Sequence, residues 1–154
     1  MKGSSNVIEQ LNQILANELV AINQYFLHSR ILKDAGYEQL ADKFFQEAVE
    51  EMRHADTLTQ RVLFLEGHPN LQKLGQLHIG ENVKEMLESD LGLEMRAIPD
   101  LREAIAVCEG EKDFASRDLL EVILKDEENH VDWIEAQLGM IKDMGVENYL
   151  QSAA

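Results

Sequence analysis

Apolar residues recur along this chain at alternating steps of three and four, the period of an α-helix with one face against a core. Four such stretches are legible, over about 5–34, 39–66, 83–109 and 113–144. The first carries Ile8, Leu11, Leu15, Glu18, Ile22 and Tyr25 on its stripe, and the second Phe44, Ala48, Glu51, Ala55, Leu58, Val62 and Leu65. The third carries Leu87, Leu91, Glu94, Ile98, Leu101, Ile105 and Cys108, and the fourth Leu120, Leu124, Glu127, Val131, Ile134, Leu138 and Ile141. Gly36, Gly110 and Gly145 mark helix ends, and ENYLQS predicts a short tail helix. Pro99 falls inside the third stretch, where it removes a hydrogen bond and predicts a kink. The stripe continues beyond it, so one bent helix is expected.

The first and second helices, and the third and fourth, are joined by short links, which predicts two antiparallel hairpins. The segment between the hairpins, GHPNLQKLGQLHIGEN, contains Pro69 and three glycines and has no helical period. A helix of about 28 residues is ~42 Å long, and about 16 extended residues reach ~50 Å. The third helix can therefore start at the far end of the second. The pattern predicts an all-α four-helix bundle with one long crossover and a short fifth helix, in one domain over 1–154.

Each stripe is interrupted near its middle by one glutamate. A buried carboxylate without a partner is costly, and the four fall at about the same level of the bundle. A single glutamate on such a stripe is ordinarily a flanking, solvated side chain. Here, however, His54 follows Glu51 by three and His130 follows Glu127 by three. Residues at that spacing share a helix face. Four carboxylates balance two divalent cations, and two neutral imidazoles complete the ligand set. Such ligands suit iron, and also manganese or zinc.

The chain also repeats itself. Glu18 and Glu94, Glu51 and Glu127, and His54 and His130 are each offset by 76 residues. LNQILANELVAIN at 11–23 and LESDLGLEMRAIP at 87–99 share Leu, Leu, Glu, Ala and Ile in register. Hairpins over about 5–66 and 83–144 read as duplicates. Met52 is turned about 100° from Glu51 around the helix. It therefore faces away from the glutamate centre, on a second surface with Phe45 and Val49. Leu19, Asn23 and Phe26 form an answering patch.

Composition narrows the partners. The 154 residues include 29 acidic and 14 basic side chains, for a net charge of −15, which disfavours nucleic acid. An acidic surface is ordinarily a matter of solubility, and it also attracts cations. Neither a signal-peptide segment nor a membrane span is legible, and the lone Cys108 rules out an internal disulfide. A cytoplasmic protein is expected, with Cys108 in the core. His28, His68 and His78 fit no ligand pattern.

The chain resembles the bacterioferritins, the haem-containing branch of the ferritins, over essentially its whole length. The likeness runs from NELVAINQYFLHSR through EEMRHAD, LFLEGHPNLQ, DLGLE, LREAI and SRDLL to ENYLQS. It implies the ferritin-like bundle and a 24-subunit shell, of one or two subunit types, around a ferric mineral. It implies Glu18, Glu51, His54, Glu94, Glu127 and His130 as di-iron ligands of a ferroxidase, with Glu51 and Glu127 bridging. Dioxygen or hydrogen peroxide is the implied oxidant. Met52 is implied as the axial ligand of a haem b shared by two subunits, and a bacterioferritin-associated ferredoxin as the electron donor for iron release. The chain departs from many relatives at Gln46, where they carry His, so Glu47 and Glu50 rank second as ligands of an accessory cavity-side site. Phe45 replaces a frequent Tyr. Tyr25 and Trp133 lie near the metal level, as electron donors or as ordinary core aromatics. A non-haem ferritin and a smaller oxygen- or peroxide-reducing di-iron protein are the alternatives.

Overall fold

The computed structural model describes residues 1–154, which form five helices and no strand. These are α1 (Ser5–Asp34), α2 (Glu38–Phe64), α3 (Val83–Gly110), α4 (Phe114–Met144) and α5 (Val146–Ala153). Side-chain caps set three of the starts. Ser4 accepts from the backbone N–H groups of Asn6 and Val7, Asn82 from that of Glu85, and Asp113 from that of Ser116. Each satisfies N–H groups that the first helical turn leaves unpaired.

Two of the expected ends differ. α2 stops at Phe64, two residues short of 66, because Glu66 takes the left-handed conformation (φ 62°) and the Gly67 N–H closes onto the Val62 carbonyl. Gly110 is the last residue of α3 rather than its terminator. The left-handed position belongs to Lys112 (φ 59°), and the Asp113 N–H bonds the Cys108 carbonyl. Gly36 and Gly145 do hold left-handed turns. α3 runs through Pro99 without interruption. Pro99 is exposed, so the Met95 carbonyl it deprives of a partner lies on the solvated side.

Cross-helix hydrogen bonds fix the directions. Ser29 bonds to Ala41 and Gly3 to Leu65, so α1 and α2 are antiparallel. Asn6 bonds to Glu111, Asn17 to Asp100 and Gln24 to Asp90, so α1 and α3 are antiparallel as well. α2 and α3 must then run parallel, which requires the crossover to travel the length of the bundle. Buried polar atoms pin its far end. The Gly80 N–H donates to His28 Nε2 at 3.0 Å, and the His78 N–H to Gln24 Oε1 at 3.0 Å. With Nε2 accepting, the His28 proton is on Nδ1, which donates to Asp90 Oδ1 at 3.0 Å.

The core forms two apolar clusters of 15 and 13 buried residues, one toward each end of the bundle. Their near-equal size places the polar layer between them at mid-bundle, the level of the four stripe glutamates.

Candidate metal centre

Each helix of the bundle contributes one glutamate to the polar layer, and α2 and α4 each add a histidine one turn further on. All six side chains are buried, with Glu94 fully enclosed. They form two quartets, Glu18–Glu51–His54–Glu127 and Glu51–Glu94–Glu127–His130, and within each the ligand atoms lie within 4.8 Å of one another. Glu51 and Glu127 belong to both. His54 Nδ1 lies 3.2 Å from Glu127, 3.4 Å from Glu51 and 3.5 Å from Glu18. His130 Nδ1 lies 3.3 Å from Glu127, 3.5 Å from Glu94 and 3.6 Å from Glu51.

These distances are short, but the alignment is not that of hydrogen bonds. Both Nδ1 atoms, both Glu127 oxygens and one oxygen each of Glu18, Glu51 and Glu94 are buried without a hydrogen-bond partner. Buried polar atoms are normally paired. A set of orphans converging on two points is the geometry of ligands around two cations.

Electrostatics point the same way. Burial, reinforced by the neighbouring carboxylates, pushes Glu51 and Glu94 well above the ordinary carboxyl range. Burial also raises Glu18. At Glu127 burial is overcome by contacts with Glu94, His130 and His54, which hold its carboxyl well below that range. Burial opposes the imidazolium at His54, yet contacts with Glu127 and Glu18 raise its pKa to about 11. Contacts with Glu127 and Glu47 raise His130 likewise. Without metal, the two imidazoles are the only cations facing the carboxylates.

The other candidates fall around this centre. Tyr25 donates to Glu94 Oε1 at 2.8 Å, and burial holds its phenol well above its usual value. Trp133 is one ring further out, against Phe44, which in turn meets Tyr25. Gln46 is exposed. Glu47 and Glu50 both reach His130 Nε2. Met52 is 57% exposed on a different face of α2 from Glu51. Phe45, about two turns before Met52 on α2, packs against Phe26 at 6.5 Å with the Arg30 guanidinium over both rings.

Sequence reasoning missed Asp126, whose Oδ2 lies 2.8 Å from His54 Nε2. The signal was present: both motifs read acid-Glu-x-x-His, as Glu50–His54 and Asp126–His130. It also gave no role to His28, which proves fully buried.

Residues 8–144 match the family model of the ferritin-like domain. The chain is 48% identical to a bacterioferritin of Brucella melitensis, over 98% of this chain and 94% of that protein. It is 48% identical to a bacterial ferritin of Pseudomonas aeruginosa, over 99% of each chain. It is 42% identical to a bacterioferritin of Mycobacterium leprae, over 97% and 94% respectively. No helix is long and apolar enough to cross a membrane.

Proposed function

The chain belongs to the ferritin-like family, in its bacterioferritin branch, and from that premise we propose that it stores iron, oxidising Fe(II) to Fe(III) at the paired quartets. The observation that carries this reading is the sharing of Glu51 and Glu127 between two buried, unpartnered donor sets. Oxygen donors with one imidazole per ion suit Fe(II), and family membership favours iron over manganese or zinc.

Two ferrous ions are the substrate, and each gives one electron to dioxygen or hydrogen peroxide. The six side chains hold the ions close together and leave coordination positions open. Their arrival displaces the imidazole protons, because a ligating nitrogen must be unprotonated. The ferric product passes into the cavity of a 24-subunit shell in the cytoplasm and is laid down as mineral.

Met52 is the residue we propose would hold the iron of a haem b shared with a second copy of the chain. An exposed thioether on the helix face that also carries the exposed Phe45 fits that role, as a soft ligand on an apolar surface. When bound, such a haem would supply a one-electron couple; a bacterioferritin-associated ferredoxin is the proposed electron donor for release of the stored iron.

The test is an Fe(II) titration of iron-free protein, loaded without oxygen and then exposed to it, with ferric absorbance followed in time. A fast phase is expected to saturate at about two irons per chain, with slower uptake beyond. Folded protein that shows no fast phase refutes the proposal.

A further inference from the structure

Each imidazole that faces the quartets has a second ring nitrogen, and it points outward to a carboxylate. His54 Nε2 lies 2.8 Å from Asp126 Oδ2, and His130 Nε2 lies 3.0 Å from Glu50 Oε2. The contacts cross between helices: the α2 histidine meets an α4 carboxylate, and the α4 histidine meets an α2 carboxylate. Asp126 immediately precedes Glu127, and Glu50 immediately precedes Glu51. The two outer acids are themselves 76 residues apart, the same offset that relates the inner residues. The duplicated hairpin thus repeats the outer carboxylate along with the six inner groups. An Nε2–H donated to the carboxylate leaves the lone pair on Nδ1, directed at the quartet.

Resting on the di-metal reading, we propose that Asp126 and Glu50 are positioning residues for the two histidines, and that the two half-sites depend on them unequally. His130 Nε2 has a second carboxylate beside it in Glu47, which is buried and held by Lys43 Nζ at 2.9 Å; its nearby oxygen is close enough to pair but is not aligned as a hydrogen bond while Glu50 holds the ring nitrogen. The repeat partner of Glu47 is Ile123, a buried apolar residue, so nothing equivalent supports His54. Glu50 lies within 4.8 Å of the His54 and Asp126 ligand atoms, but its own hydrogen bond goes to His130. Without Asp126, the His54 ring is free to take the other tautomer or to turn. Without Glu50, the His130 Nε2–H has the neighbouring Glu47 carboxylate to turn to.

The experiment is an anaerobic titration of the metal-free, full-length protein with Co(II), read by visible absorption. Wild-type protein binds two ions per chain. In D126A one of the two weakens about 10–100-fold, the range for loss of an outer partner of a metal-bound histidine, and the other is unchanged. D126N places an amide oxygen where the carboxylate stood and restores most of the loss. E50A weakens the second ion less than D126A weakens the first, and the E47A/E50A pair weakens it further. The Asp126 side chain is 31% exposed, so its truncation leaves the core intact.

A cobalt pair that D126A binds as tightly as wild type overturns this inference and leaves the di-metal reading standing. Loss of an additional ion with the pair intact makes Asp126 a ligand rather than a positioning residue, and overturns it too. A wild-type chain that takes up no cobalt pair brings down the di-metal reading itself.

Discussion

Glu51 and Glu127 stand in both quartets, whereas Glu18 and Glu94 stand in one each. Glutamine substitutions, which keep shape and remove charge, should therefore fall into two classes. E127Q takes a shared oxygen from both ions, and the fast phase of Fe(II) oxidation falls by more than the ~10–100-fold typical of an outer partner. E18Q weakens one ion and leaves the other bound. Stopped-flow rates together with metal counts per chain separate these outcomes, and identical behaviour in the two variants would contradict the shared-ligand geometry. Protons act on the same residues when metal is removed. His54 has a folded value of about 11 against an ordinary 6.5. A group raised in this way gives its full stabilisation below the unfolded value and loses it as pH rises through the folded one. Glu51 and Glu94, raised by burial, oppose folding above the ordinary carboxyl range, so they work in the same direction. Metal-free protein should therefore lose thermal stability steadily from about pH 6.5 to about pH 11. Bound Zn(II) should flatten the profile, since cations then replace the protons. Melting temperatures across that range, with and without zinc, are the check; a flat metal-free profile would show that the imidazoles are not the site's counter-charges.

At the scale of elements, periodicity revealed the four long helices, because a core-facing stripe leaves its spacing in the chain. The same spacing exposed the six inner residues, since a glutamate among leucines at steps of three and four has only one place to point. The crossover left no such trace beyond its length. What fixes it is the imidazole of His28, which holds Gly80 of the crossover and Asp90 of α3. The two side chains are 62 positions apart, and no local motif joins them. A clue lay in register: His28 is three residues after Tyr25, and Asp90 is four before Glu94, so both fall on core-facing stripes. Periodicity reports that a residue is buried; the partner that makes burial tolerable comes from the tertiary fold. H28L should leave the Gly80 N–H without an acceptor and Asp90 short of a donor, at a cost of about 2–4 kcal/mol. Urea unfolding of the metal-free protein measures it. Unchanged stability would mean that the crossover is held by its other contacts, the Asn12–Asn70 and Gln24–His78 hydrogen bonds among them.

A single copy of the chain leaves much apolar surface uncovered. Met52, Phe26 and Phe45 stand out on one side of the α1–α2 hairpin, with Leu63, Phe64, Leu71 and Leu74 exposed elsewhere. Contiguous exposed apolar surface on a folded protein marks a place of association. In a twofold contact the same patch meets itself, and a Met52 lying at its axis would face Met52 of the other copy. That symmetry would make the proposed haem a property of the pair of chains. Haem binding should then saturate at about one haem per two chains, as the isologous geometry requires. M52L, close to volume-conserving, is expected to keep the interface packed. It should remove the axial ligand while leaving the di-iron centre untouched, because Met52 and Glu51 point to different sides of α2. Expression with ample haem, followed by absorption spectroscopy and size measurement on wild type and M52L, distinguishes the cases. Loss of the Soret band in M52L, with unchanged assembly and unchanged fast Fe(II) oxidation, supports ligation by Met52 and places haem and ferroxidase chemistry on separate faces of one helix. A Soret band of equal strength in M52L means that another residue holds the haem. No Soret band in wild-type protein means that the apolar face serves assembly alone, and that the chain works as a ferritin without haem.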